Sequence, residues 1–175
     1  IPNIDLYMDQ VTTFMDEHFA STKRYSEDKI LTKTMINNYT KNNLLPPSVK
    51  KKYSREHMLL LILIYYFKNI LSIKDIETVL EPLREKYFSG DNPVQLSDIY
   101  SEVCEMEKSR IEPMKSSVRE AYEKSMSAFD SVPEGREQDE LRLFAFICSL
   151  SFDVYLKKMM IEKIIDELAA KEKDE

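Results

Sequence analysis

Between Thr32 and Arg55 the chain gathers side chains suited to gripping a polyanion and reading a polar edge. Lys33, Thr34, Asn37, Asn38 and Lys41 fall on or near one side of a helical period, with Met35, Ile36 and Tyr39 on the other. An asparagine amide offers one acceptor and two donors, the pattern that pairs bidentately with adenine in a major groove. Further on, Lys50, Lys51, Lys52 and Arg55 place four cations in six residues, on a segment too short and charged to be core. Cations so arranged suit phosphate oxygens. Tyr39 and Tyr53 carry hydroxyls able to meet a sugar–phosphate backbone and rings able to fill a core, and both readings stand open. A polar helix face alone is weak evidence, because solvated helices look alike. The basic segment following about ten residues after it adds the weight.

Other chemistry finds less support. His18 and His57 are read as solvated on helix flanks or capping helix ends, with no pattern nearby that supplies a nucleophile and its base. Cys104 and Cys148 lack CxxC spacing and make no zinc set with the histidines. With the nine methionines they read as core fillers at helical spacing. The two glycines, Gly90 and Gly135, argue against Gly-rich phosphate loops. Neither an enzyme, a metal nor a cofactor is expected.

The elements that must position the polar and basic residues follow from local signals. Thr32 to Lys41 reads as a short helix, and Asn43 is the non-glycine residue that best tolerates the left-handed conformation ending it. Pro46-Pro47 forces an extended turn. Ser54 caps a helix whose MLLLILIYYF run must be nearly all buried, and Ser72 with Asp75 opens another in a capping-box pattern.

A helix ending in Tyr39, the corner Asn43-Leu44-Leu45-Pro46-Pro47, the basic Lys51-Lys52-Tyr53-Ser54 and the later Leu71-Ser72 opening a helix with Ile76 resemble a known pattern. It is the winged helix-turn-helix of MerR-type transcription regulators. The chain is still more similar to a group of uncharacterised bacterial proteins, known only as a domain of unknown function, in which this MerR-like core recurs. The match covers about fifty residues. It implies a recognition helix over 32–41 lying in the major groove and a wing over 48–53 resting on phosphates. Asn37 stands where the family's recognition helix carries arginine. The resemblance therefore also leaves open a protein-interaction module on a helix-turn-helix scaffold without DNA binding.

Charge distribution agrees with the placement of the candidate site. The net charge is −6, yet residues 31–58 hold six Lys and Arg against one Glu. Local charge governs phosphate contact, because fields are screened beyond roughly 8–10 Å at cellular salt. The length suffices for one large or two small domains. The longest apolar runs, 58–67 and 143–155, fall short of the ~20 residues a membrane span needs. Cytoplasmic location is expected. The first residue is Ile1, so a few preceding residues, even a short leader, are compatible with the sequence.

Along the chain, residues 5–20 read as an amphipathic helix buttressing the recognition helix. Ser21 to Lys29 is longer than a normal helix-turn-helix turn, implying an insertion or a short extra helix. Helices over 55–69 and 73–88 follow, with Pro82 kinking or ending the second. Ser89 to Leu96 is the expected domain boundary. Beyond it lies a helix interrupted at Pro113, a loop over 131–138, a helix over 141–168, and a solvated KEKDE tail. The expected architecture is all-α apart from a two-stranded wing near 44–53. A winged helix-turn-helix domain fills 1–88, and a C-terminal helical domain for dimerisation or sensing fills 97–175. The expected function is a DNA-binding transcriptional regulator acting on double-stranded DNA. A homodimer through 97–175 is expected, with a fold-back onto residues 58–71 as its rival. Any small-molecule effector is left unspecified.

Overall fold

The computed structural model describes residues 1–89 and 92–171. Its contacts divide the chain into two compact units, residues 1–101 with the chain from Ile165 onward, and residues 102–164. Gly90 and Asp91 of the expected boundary, and the last four residues of the KEKDE tail, lie outside the described residues.

In the first unit a strand β1 (Leu6–Tyr7) runs directly into helix α1 (Met8–His18). The Gln10 side chain accepts the Tyr7 N–H at 2.8 Å, which fixes the helix start. Val11 and Met15 are buried, and a 3-10 turn over Ala20–Thr22 follows. Helix α2 (Lys33–Lys41) opens at Thr32, whose Oγ1 accepts the Met35 N–H at 3.2 Å. It closes through Asn43 at φ 55°, with the N–H groups of Leu44 and Leu45 donating to the Tyr39 carbonyl at 2.9 and 3.3 Å. That turn drives Leu44 and Leu45 into the core.

Strand β2 (Lys52–Tyr53) pairs antiparallel with β1, Leu6 opposite Tyr53 and Tyr7 opposite Lys52. This corrects the sequence reading in two ways. The strand paired with the basic segment is the N-terminal one, joined by a bridge from Val49 to Lys52, and the first helix is three turns rather than four. Leu6 keeps its buried place, but as a strand residue.

Helix α3 (Arg55–Phe67) is the central core element, with eight of its thirteen residues buried. Helix α4 (Ile73–Lys86) starts with Ser72 and Asp75 capping one another. Ile76 and Leu80 are its buried side chains, whereas Ile73 is exposed. Pro82 neither ends nor restarts the helix. It sits on the exposed side, where water can take the carbonyl it frees. Pro82→Ala is therefore expected to raise stability, by about 1–3 kcal/mol on the helix-interior scale. Thermal melts followed by circular dichroism would check this, and a lower melting point would mean the ring makes a packing contact that matters.

Helix α5 (Leu96–Met126) continues through Pro113, since the surrounding turns are exposed and the freed backbone is solvated. Helix α6 (Arg136–Lys171) begins five residues earlier than its apolar pattern suggests. Within the second unit the two helices fold back as a hairpin. Its loop places Phe129 at φ 61° and is tied by Gln138, whose Nε2 donates to the carbonyls of Phe129 and Val132 at 3.0 Å each. Arg142 adds a bond to the Ala128 carbonyl at 3.0 Å and an ion pair with Asp130 at 3.1 Å. Tyr122 meets Phe146 edge to face at 5.3 Å between ring centres. The expectation that Cys and Met fill the core fails here: Cys148, Met106, Met114 and Met160 are exposed. Among the described residues, no helix is long and apolar enough to cross a membrane.

Candidate nucleic-acid interface

The long connection before α2 would leave that helix loose were it not pinned at several points. Lys23 meets Asp16 of α1 at 3.0 Å, and its hydrogen bond holds the Asp16 carboxyl below the usual range. Thr22 and Tyr65 share a hydrogen bond between hydroxyls. Lys68 reaches from the end of α3 to donate to the Ile30 carbonyl at 2.7 Å, its ammonium 4.8 Å from the Tyr65 ring centre. Burial pushes the Lys68 proton affinity down. Ile30 and Leu31 then plug the core, and α2 starts from a fixed point.

On α2 the apolar side is Ile36 and Tyr39, both buried. The exposed side carries Lys33, Thr34, Asn37, Asn38 and Lys41, the set the sequence places together. Among the described residues the amides of Asn37 and Asn38 bond to nothing in the chain. The Asn38 carbonyl, by contrast, accepts the Asn42 side chain at 2.8 Å, which tightens the helix end. Lys33 is ion-paired with Asp9 of α1. Tyr39 is 4% exposed and burial raises the proton affinity of its phenolate. Tyr53 is 5% exposed. Both rings go to the core, the packing alternative of the two open readings.

The basic segment forms a two-residue hairpin. Val49 and Lys52 exchange N–H···O bonds of 3.0 and 2.9 Å, with Lys50 at φ 51° and Lys51 at φ 64° between them. Positive φ at both central residues is the type I′ turn, whose twist matches that of its strands and which normally takes Asn-Gly. For lysine each such conformation costs about 1 kcal/mol or more. The turn therefore holds two exposed cations at its tip against local preference. Lys52 is different: its ammonium lies 5.3 Å from the Tyr7 ring centre, and the residue is half-buried. Arg55 is exposed at the start of α3. Among the described residues no group of three or more His, Cys, Asp or Glu could hold a metal.

The first unit is thus a mostly helical domain with one short antiparallel ribbon, presenting a polar helix face and a strained dilysine tip. Residues 1–103 match the model of a domain of unknown function, DUF1836, and the chain belongs to that family. No curated protein and no solved structure matches it.

Proposed function

We propose that the first unit is a MerR-like winged helix-turn-helix that binds duplex DNA, with α2 as recognition helix and the Val49–Lys52 hairpin as wing. The observation that carries this reading is the pair of exposed lysines held at positive φ on a two-residue turn. A chain under no demand for charge there would relax to a residue that favours the turn. The unpartnered amides of Asn37 and Asn38, with Thr34 and Lys41, supply donors and acceptors for base edges and backbone. The protein would act as a transcription regulator, and as a homodimer, since helix-turn-helix proteins read paired half-sites with two-fold symmetry.

A second reading keeps the scaffold and replaces DNA with a protein partner. The Asp9–Lys33 ion pair favours it, because a carboxylate at the start of α2 occupies one cation and repels phosphate. Titration against random-sequence duplex at two salt concentrations separates the readings. DNA binding requires a log–log slope of about −0.9 per phosphate contact, whereas absence of binding at low salt leaves the protein-partner reading. Once a preferred sequence is known, Asn37→Ala or Asn38→Ala is expected to cost about 1–3 kcal/mol on it and little on random DNA. Equal loss on both would mean that this face does not read bases.

A further inference from the structure

His57, expected to be solvated or to cap a helix end, does cap α3 at Ser54, yet it is 2% exposed and meets the chain on both sides of the basic hairpin. Its Nδ1 lies 3.0 Å from the Ser54 backbone nitrogen and 3.0 Å from Ser54 Oγ. A backbone N–H only donates, so Nδ1 is the acceptor and the neutral ring carries its proton on Nε2. Nε2 in turn lies 3.4 Å from the Pro47 carbonyl, a long bond aimed at the chain entering the hairpin. Tyr53, where the hairpin leaves, meets the ring edge to face at 5.4 Å, and Phe88 beyond α4 does so at 4.8 Å. One imidazole therefore holds both ends of the segment that presents Lys50 and Lys51.

We propose that His57 is the positioning residue of the basic hairpin, and that only its neutral ring holds the hairpin in the form that grips a phosphate backbone. A second proton, on Nδ1, would set a donor against the Ser54 N–H and bury a cation between two aromatic rings. The inference rests on the DNA-binding reading for its functional consequence, but not for its geometry. Burial is the largest influence on the ring and disfavours the proton; the Pro47 and Pro46 carbonyls, Glu56 of α3 and Asp5 before β1 oppose it and do not prevail. With the folded-state value below the ordinary 6.5, the stabilisation is present above pH 6.5 and is lost as pH falls through and below it. Cationic proteins usually bind DNA more tightly in acid, as histidines gain charge. A grip that weakens there has the opposite sign.

The test has two arms. In DNA-free protein, amide exchange at Ser54 and Lys52 is followed from about pH 8 to about pH 5.5 and corrected for intrinsic rates. One pH unit below the open-state value, opening should be favoured by up to about tenfold, with slowly exchanging amides of central α3 unchanged. In the second arm, affinity for a random-sequence duplex is measured over the same range at constant ionic strength. His57→Gln keeps an acceptor for the Ser54 N–H, as glutamine does in capping boxes, but does not titrate. Wild-type affinity should fall in acid, and that of H57Q should not. Flat corrected exchange in wild type, or an equal acid loss in H57Q, overturns the assignment. An exchange response without duplex binding at any pH upholds the hold of His57 on the hairpin and overturns the DNA reading instead.

Discussion

Replacing Lys50-Lys51 with Asn-Gly is expected to make the protein more stable and its hold on DNA much weaker, in the same molecule. The stability gain follows from the backbone. Lys50 and Lys51 sit at φ 51° and 64°, where an L-residue with a Cβ and no local hydrogen-bonding group is disfavoured. Asn-Gly is the pair that type I′ turns select, so relief of about 1–2 kcal/mol is expected. The loss on DNA follows from counterion release. Two phosphate contacts removed should flatten the slope of log affinity against log salt by about 1.8, which near 0.1 M salt is roughly a sixtyfold drop. Because the substitution keeps the turn, the loss cannot be blamed on a collapsed hairpin. Denaturant melts and duplex titrations at several salt concentrations measure the two halves. A variant that gains stability and keeps its salt slope would remove the hairpin from the interface. Lys52→Ala should cost less on DNA than either tip lysine, since that ammonium is turned toward Tyr7.

What the sequence made legible here is local, and what it hid depends on partners far along the chain. The start of α2 at Thr32, its left-handed exit at Asn43 and the capped start of α4 are short-range hydrogen-bond patterns, and each stands where the residues put it. The mostly buried character of α3 follows from its composition. The pairing of Leu6–Tyr7 with Lys52–Tyr53 was hidden, because two residues leave no period and their partners lie more than forty positions away. Leu6 also stands at the head of the apolar series that runs on to Val11 and Met15, so the α1 reading absorbed it. His57 was hidden for a related reason. Nothing in Ser-Arg-Glu-His distinguishes a solvated capping histidine from one roofed by Phe88, thirty-one residues on. The continuity of α5 and α4 through Pro113 and Pro82 shows a different limit. Proline costs a helix most where its orphaned carbonyl is buried, and local sequence does not say which side faces water. On the interface, the polar face of α2 was legible as a set. The diversion of Lys33 to Asp9 and of Lys52 to Tyr7 was not, because both partners come from the N-terminal segment.

The second large effect concerns assembly: in solution the chain should have twice its 20.6 kDa mass, and Phe152→Glu should return it to one. Phe144, Cys148, Phe152, Tyr155 and Met159 recur along α6 at spacings of four, four, three and four, and all five are exposed. Such spacing draws a single seam along a helix, the pattern that pairs helices by knobs-into-holes packing. Phe144 is 63% exposed and Phe152 60%, far more than isolated surface aromatics need be. About ten apolar side chains of the second unit, each covering about 80 Å², would remove roughly 800 Å² per partner, the size of a stable interface. A second copy is the occupant that symmetry favours, because one apolar stripe can be its own complement across a two-fold axis. A glutamate at position 152 would put a charge in the middle of that seam, where desolvation opposes association strongly. Light scattering across a dilution series reads the mass directly. The same variant, its folding checked by circular dichroism, should lose about a hundredfold or more in affinity for a two-half-site duplex and little for a single half-site. That difference arises because linked sites share one effective concentration. A wild-type mass of 20.6 kDa at every dilution would sink the dimer and leave the apolar stripe to another occupant.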